Sequence, residues 1–292
     1  MRVAVTGRDG QVARALVDAG AASGITVVPV ARPTLDLQRP DTILPALRAA
    51  APDAVVSAAA FTAVDRAEDE PALTYRINGA GAGAVAEAAA VLGVPLLHLS
   101  TDYVFDGAAG GALREDEPTA PLSVYGASKL EGERLVTAAG GRHMILRTAW
   151  VYSPFGSNFV RTMLRLAADR DEVAVVDDQR GCPTAAADIA AAILTLVPRL
   201  LEPAAVPERF GLFHLTGQGE AVWADVAEAV FAASALRGGP QARVRRITTA
   251  EYPTRARRPA CSLLDGGKLE RVHGMRLPPW RDSLATCVAR LT

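Results

Sequence analysis

Short runs rich in β-branched residues alternate with alanine-rich stretches of helical period through the first half of the chain. Val3 to Thr6, Thr26 to Val30, Ala54 to Ser57, Pro95 to Ser100 and His143 to Thr148 are predicted strands. Such short runs between helical segments are the pattern of a parallel sheet covered by helices on both faces. Between them, Gln11 to Ala22, Asp41 to Ala50, Tyr75 to Leu92 and Val124 to Ala139 are predicted helices. Strand and helix in strict alternation imply an α/β fold with a doubly wound parallel sheet of the Rossmann kind.

Beyond Trp150 the alternation loosens. A helix around Asn158 to Ala168, a strand near Val173 to Val176, a helix from Ala185 to Val197, a strand from Gly211 to Thr216 and a helix from Trp223 to Ala233 are predicted. Less regular Pro- and Arg-rich sequence follows from Arg237 to Pro259. The expected organisation is a dinucleotide-binding domain over 1–152, rejoined by 183–217. A smaller interleaved substrate lobe would comprise 153–182 and 218–292.

Composition acts mainly by exclusion. The 292 residues, half of them hydrophobic, supply ample core for such a domain. A net charge of -1 offers no global attraction to nucleic acid or an acidic membrane; the Arg-rich run from Arg243 to Arg258 is a local exception. Cys182, Cys261 and Cys287 are odd in number and form no Cys-x-x-Cys, which points to a reducing compartment and to neither a disulfide scaffold nor a zinc site. The most apolar long stretch, Ala82 to Leu99, contains Glu87, Gly93 and Pro95, unsuited to a bilayer. The opening Met-Arg-Val-Ala-Val-Thr lacks the apolar region of a signal peptide. A soluble cytoplasmic protein is expected, without nucleic-acid or membrane partners and compatible with a homodimer.

Gly7-x-x-Gly10-x-x-Ala13 directly follows the first strand and opens a helix. Gly7 permits a tight turn, Gly10 lets backbone approach a pyrophosphate, and Ala13 allows close helix packing; the helix N-terminus offers unpaired N–H groups. The end of the second strand, Val30-Ala31-Arg32, has no acidic residue for adenosine ribose hydroxyls. Arg32 either meets a 2′-phosphate, tilting the cofactor towards NADP, or is an ordinary surface arginine. Asp36 and Leu37 lie where adenine contacts are expected, and Ala58 to Ala60 offers a small-residue surface for a cofactor.

Tyr125-Gly-Ala-Ser-Lys129 places a phenol and an ammonium one helical turn apart. Of 31 Lys+Arg residues only two are Lys, Lys129 and Lys268, so this pairing is unusual for the chain. A nearby cation favours the phenolate, and a compact ammonium can bind a ribose hydroxyl where a planar guanidinium cannot. The alternative is a surface Tyr beside a surface Lys. Ser100 and Thr101 close an apolar strand and so belong at the carboxyl edge of the sheet, where Thr101, Tyr125 and Lys129 together suit a carbonyl oxygen receiving a proton as hydride arrives at carbon.

Leu99-Ser-Thr-Asp-Tyr-Val-Phe-Asp-Gly107, Tyr125-x-x-x-Lys129, Arg147-Thr-Ala-Trp-Val-Tyr152, Asn158-Phe-Val160, Asp177-Asp-Gln-Arg-Gly-Cys-Pro-Thr184 and Arg258-Pro-Ala-Cys-Ser262 together resemble the dTDP-4-dehydrorhamnose reductase family of extended short-chain dehydrogenase/reductases. The resemblance runs nearly end to end. It implies reduction of the 4-keto group of dTDP-6-deoxy-4-keto-L-mannose to dTDP-L-rhamnose with NADPH, NADH being a possible substitute. It implies Thr101, Tyr125 and Lys129 as the catalytic set, Asp102 and Trp150 beside the sugar, and Gly10, Gln11, Val12, Asp36, Leu37, Ala60 and Thr62 along the cofactor. Where some members carry metal-binding acids early in the first helix, this chain has Arg14-Ala15, so no metal is expected. Val222-Trp223 replaces the family's Ser-Trp pair, a change bearing on lobe packing.

A 4-ketoreductase for another nucleotide-linked deoxysugar, a sugar-nucleotide epimerase and a non-catalytic NADP-binding regulatory subunit share this architecture. His98, within its strand, reads as a packed or hydrogen-bonded structural residue and not a base. Arg255, Arg257 and Arg258 either clamp a substrate diphosphate or form a solvated basic face.

Overall fold

The computed structural model describes residues 1–108, 110–202 and 206–292. The chain runs β1 (Arg2–Thr6), α1 (Gln11–Ala22), β2 (Thr26–Val30), α2 (Ile43–Ala50), β3 (Ala54–Ser57), α3 (Val64–Asp69), α4 (Pro71–Tyr75), a π-helical segment over Arg76–Gly81, α5 (Ala82–Leu92), β4 (Leu96–Thr101), α6 (Val124–Ala138) and β5 (His143–Thr148). It continues through β6 (Val151–Tyr152), α7 (Phe159–Ala167), β7 (Glu172–Val176), β8 (Arg180–Gly181), β9 (Thr184–Ala185), α8 (Ala186–Leu201), β10 (Gly211–His214), β11 (Ala221–Val222), α9 (Trp223–Ala235), β12 (Arg243–Ile247), α10 (Gly267–His273) and α11 (Trp280–Ala289). No helix among the described residues is long and apolar enough to cross a membrane.

Six strands form one parallel sheet in the order β10-β5-β4-β3-β1-β2, the doubly wound arrangement that the alternation implies. Successive side chains point to opposite faces. Val3, Val5, Leu97, Met144 and Leu146 meet Leu16 of α1 and Ile189 and Ile193 of α8 on one side. Ala4, Val55, Leu96 and Ile145 meet Leu47 of α2, Val85 of α5 and Val136 of α6 on the other. Each large aliphatic side chain so buried stabilises the fold by about 1.5–3 kcal/mol.

The predicted helix over Tyr75 to Leu92 is the rear of a longer rod that starts at Pro71 and widens to π geometry at its centre. The irregular stretch also hides a strand. Arg243–Ile247 pairs in parallel with β7, burying only Ile247 fully while Arg243, Arg245 and Arg246 stay exposed. Acids match these arginines: Glu172 pairs with Arg243 and Arg245, and Asp225 and Glu228 with Arg246. A charge-bearing strand of this kind shows little of the apolar alternation by which strands are read.

A second core joins Tyr152, Val160, Val175, Val230, Phe231, Trp280 and Leu284, drawn from α7, α9, α11 and the two-stranded ladders. The substrate-lobe assignment of 218–292 needs one correction. Leu269 and Leu277 insert into the main-sheet core, and Lys268 Nζ donates to the Leu212 carbonyl at 2.7 Å, so α10 packs on β10. Helices α10 and α11 have no counterpart among the predicted elements.

Helix α6 lies unusually close to the turn that follows β4. A Cβ on Gly126 would sit 2.1 Å from the Tyr103 carbonyl oxygen, so only glycine allows the approach. Gly126→Ala is expected to lower stability by about 1–3 kcal/mol through overpacking and to reduce turnover by displacing α6. A urea midpoint and turnover both equal to wild type would contradict this packing.

Candidate active site

The strand order turns back beside β1, so the carboxyl ends of β1 and β3 bound a crevice of the kind that holds ligands in open α/β sheets. Gly7 leaves β1 at φ +88°, a left-handed conformation suited to glycine, with the Cβ of Ala59 3.3 Å from where a side chain would start. Helix α1 begins after Gly10 with no side-chain cap and no acid in its first turn, and a Cβ on Gly10 would meet nothing within 4 Å. Its free N–H groups and positive dipole end therefore face open space fit for a pyrophosphate.

The opposite wall is pinned by hydrogen bonds. The N–H groups of Ala58 and Ala59 both donate to Thr6 Oγ1 at 3.0 Å. Asn78, buried in the π segment, accepts from Phe61 N at 2.7 Å and donates to Phe61 O at 3.1 Å and Ser128 Oγ at 3.0 Å. That one side chain joins the Ala58–Ala60 wall to α6. Sequence reading missed it, although a lone Asn within an Ala/Gly-rich helical run is a signal for such a role.

The expected cofactor residues divide. Gly7 and Gly10 lie at the crevice, Ala60 is half-buried and Thr62 exposed, and Arg32 is exposed and makes no ion pair among the described residues. Val12 and Leu37 are buried in the core, so their side chains do not line an open site. The Asp36 carboxylate accepts from Gln38 N at 3.0 Å and shapes the turn after β2. Gln11 is turned to the lobe: its amide donates to Val151 O at 3.2 Å and accepts from Ser153 Oγ at 2.8 Å and Asn158 Nδ2 at 3.0 Å. Arg14 packs over the Phe155 ring.

Thr101, Tyr125 and Lys129 converge at the carboxyl end of β4. Ser123 caps α6 by accepting from Gly126 N at 3.2 Å, and Glu68 accepts from Val124 N at 2.9 Å, which fixes the first turn. The Thr101 hydroxyl donates to Asp102 Oδ1 at 3.0 Å and accepts from Tyr103 N at 3.2 Å. Burial pushes the Tyr125 phenol up to about 12, with the neighbouring Thr101 hydroxyl opposing the rise and Asp102 adding to it. The expected lowering of Tyr125 by the Lys129 charge is thus not found. Lys129 Nζ instead donates to Leu99 O at 2.6 Å and meets His98 Nε2 at 3.3 Å. Burial brings the ammonium down to about 8, while Glu133, one turn further along α6, opposes the fall.

Glu133 anchors a buried network absent from the sequence reading. It accepts from Arg147 Nε at 2.9 Å and Nη2 at 2.7 Å, and from Ser100 Oγ at 2.5 Å. Arg147 also lies over the Phe105 ring. An unbroken pair of this kind locks α6 against β4 and β5, whereas losing one partner would leave a buried charge alone.

Trp150, implied to lie beside the sugar, takes φ +48° and stacks flat on Trp223 with ring centroids 3.7 Å apart. Gly181 packs against the same indole. Trp223 thus supplies lobe packing beside Val222. Arg258 is not a free phosphate clamp, because it grips Asp65 with Nη1 at 3.1 Å and Nη2 at 2.6 Å; Arg255 pairs with Asp69. These contacts bridge the C-terminal segment to α3. Arg257 stays exposed.

A dinucleotide cradle at a sheet switch point, facing Thr, Tyr and Lys, defines an oxidoreductase of the short-chain dehydrogenase/reductase type. The profile of the RmlD substrate binding domain family matches residues 1–292. A dTDP-4-dehydrorhamnose reductase of Sinorhizobium fredii is 52% identical over 283 residues, covering 97% of this chain and 95% of the relative. The crystal structure of a dTDP-4-dehydrorhamnose reductase from Clostridium acetobutylicum superposes with TM-score 0.92 at 34% identity, covering 100% of this chain and 99% of that one. The Bacillus anthracis dTDP-4-dehydrorhamnose reductase, solved in complex with NADP, gives 0.90 at 32% identity, covering 99% and 98%. The chain belongs to the dTDP-4-dehydrorhamnose reductase family.

Asp102 offers a test of the site's burial. Its carboxyl is raised to about 6 chiefly by burial, with the neighbouring Ser262 and Thr101 hydroxyls opposing the rise, and its Oδ2 has no hydrogen-bond partner among the described residues. The folded state therefore holds the proton more tightly than the unfolded chain. The resulting stability is full below about pH 4 and is lost as pH rises through 6, in total about 3 kcal/mol. Urea unfolding from pH 4 to 7 is expected to show wild type losing that margin relative to Asp102→Asn. A pH-independent difference between the two would contradict it.

Proposed function

We propose that the chain reduces the 4-keto group of dTDP-6-deoxy-4-keto-L-mannose to give dTDP-L-rhamnose, with NADPH as cofactor. The observation that carries this reading is the convergence of Thr101, Tyr125 and Lys129 at the carboxyl end of β4, in a chain that matches reductases of that name over its full length. The bare N-terminus of α1, the space over Gly10 and the unpaired Arg32 fit a phosphate-rich dinucleotide. NADPH, when bound there, supplies the hydride for the carbonyl carbon.

The chain's own groups manage the proton. A phenol raised to about 12 stays protonated at neutral pH and is ready to donate, which is the role reduction requires. The Thr101 hydroxyl rotates about one bond, exchanging the Asp102 carboxylate for the carbonyl oxygen as negative charge develops there. The Lys129 ammonium, with two of its donors taken by Leu99 O and His98, keeps the third to hold the ribose. Trp150, on its rigid Trp223 stack, forms the sugar wall with Asp102. The three free cysteines fit a cytoplasmic setting.

Tyr125→Phe is expected to lower kcat by ~10²-fold or more with NADPH binding nearly intact. Near-normal turnover of the 4-keto sugar nucleotide, followed by NADPH absorbance, would remove Tyr125 from the mechanism. Arg32→Ala is expected to weaken NADPH far more than NADH, since only NADPH offers a 2′-phosphate. Equal losses in titrations with both cofactors would show that Arg32 does not read the phosphate.

A further inference from the structure

Lys129 sits in the seam between α6 and β4 with only 3% of its surface exposed. An ammonium has three donors and no acceptor. One donor goes to Leu99 O and a second faces His98 Nε2, which leaves one for a cofactor hydroxyl or the Tyr125 oxygen. His98 is itself buried, and its Nδ1 lies 3.0 Å from Ser57 Oγ on the neighbouring strand, where Ser57 and His98 are register partners. Because Lys129 can only donate, Nε2 must accept. The ring proton is therefore on Nδ1 and is donated to Ser57.

We propose that His98 is a positioning residue for the reduction: as a neutral acceptor held in one tautomer by Ser57, it fixes the Lys129 ammonium and keeps it charged beneath Tyr125 and the cofactor ribose. His98 and Ser57 are both buried, 1% and 2% exposed, so the chain Ser57–His98–Lys129 ends inside the protein and serves to hold the charge, not to deliver protons from solvent. Burial and the adjacent Lys129 charge hold His98 well below the usual histidine range, consistent with an acceptor. The titratable groups around this chain are Tyr125 and Glu133 on α6, Asp102 after β4, and His143 on β5 beside His98. Of these, Glu133 is the one whose charge counters the desolvation of Lys129.

This inference rests on the ketoreductase reading, but it has its own readout. Gln at position 98 can place an amide oxygen near the Nε2 position, whereas Asn reaches only the Nδ1 position and so can meet Ser57 but not Lys129. Without its acceptor, the buried ammonium ionises at lower pH, so the alkaline limb of the kcat profile should move down. The expected shift in His98→Asn is about one pH unit, equivalent to roughly tenfold in the ionisation constant, with the limb of His98→Gln remaining at the wild-type position. Ser57→Ala, which loosens the tautomer while keeping the ring, should shift the limb in the same direction by less, and reads the same chain should His98→Asn fail to fold. The same displacement should appear in the pH dependence of NADPH binding, measured by fluorescence without any sugar substrate. That separates failure of this inference from failure of the substrate assignment. Coincident limbs in wild type, His98→Asn and Ser57→Ala, or a His98→Gln limb displaced as far as that of His98→Asn, would overturn the proposal.

Discussion

A single buried ammonium organises this molecule's active end. Placing Lys129 between α6 and β4 incurs a desolvation cost that the surroundings must offset with fixed partners, namely the Leu99 carbonyl, the His98 ring and the charge of Glu133. Those partners exist only if α6 lies hard against the end of β4. Gly126 removes the side chain that would obstruct the approach, Ser123 and Glu68 fix the first turn, and the Glu133–Arg147 pair ties the rear of the helix to β5. Tyr125 is thereby set beside Thr101.

The cofactor crevice hangs from the same scaffold. Asn78 links the wall after β3 to Ser128, one residue before Lys129, so the wall is tied directly to α6. Gln11, at the mouth of α1, joins the cradle to Val151, Ser153 and Asn158 and sets the lobe's angle to the crevice. Arg258 and Asp65 close the other flank. The Arg258–Asp65 pair is two-pronged and only partly exposed, so it ties the C-terminal segment firmly to α3.

The central sheet was legible in the sequence because its short strands are rich in aliphatic residues and alternate with helical segments, and five of its six strands lie in the regular first half. Tyr125 and Lys129 stood out because the chain otherwise uses arginine almost everywhere. The partners of Lys129 were not legible. His98 reads as one polar residue in an apolar strand, and nothing in its neighbours reveals that a residue 31 positions later ends against it. Glu133 in a helix and Arg147 in a strand show no relation to each other until the fold brings them together. Strand β12 escaped for a related reason, since its arginines face acids from distant elements and mask its apolar anchors, Val244 and Ile247.

The scarcity of lysine makes the central claim directly measurable. With only Lys129 and Lys268 in the chain, lysine labelled with ¹⁵N at Nζ gives two side-chain signals, distinguished by a Lys268→Arg sample. Titration of the cofactor-free protein should show the Lys129 ammonium losing its proton near pH 8, well below a free lysine. A midpoint at or above ~10.4, the value for a solvated lysine, would mean that the ammonium is not buried in the seam and that the account built on it is wrong.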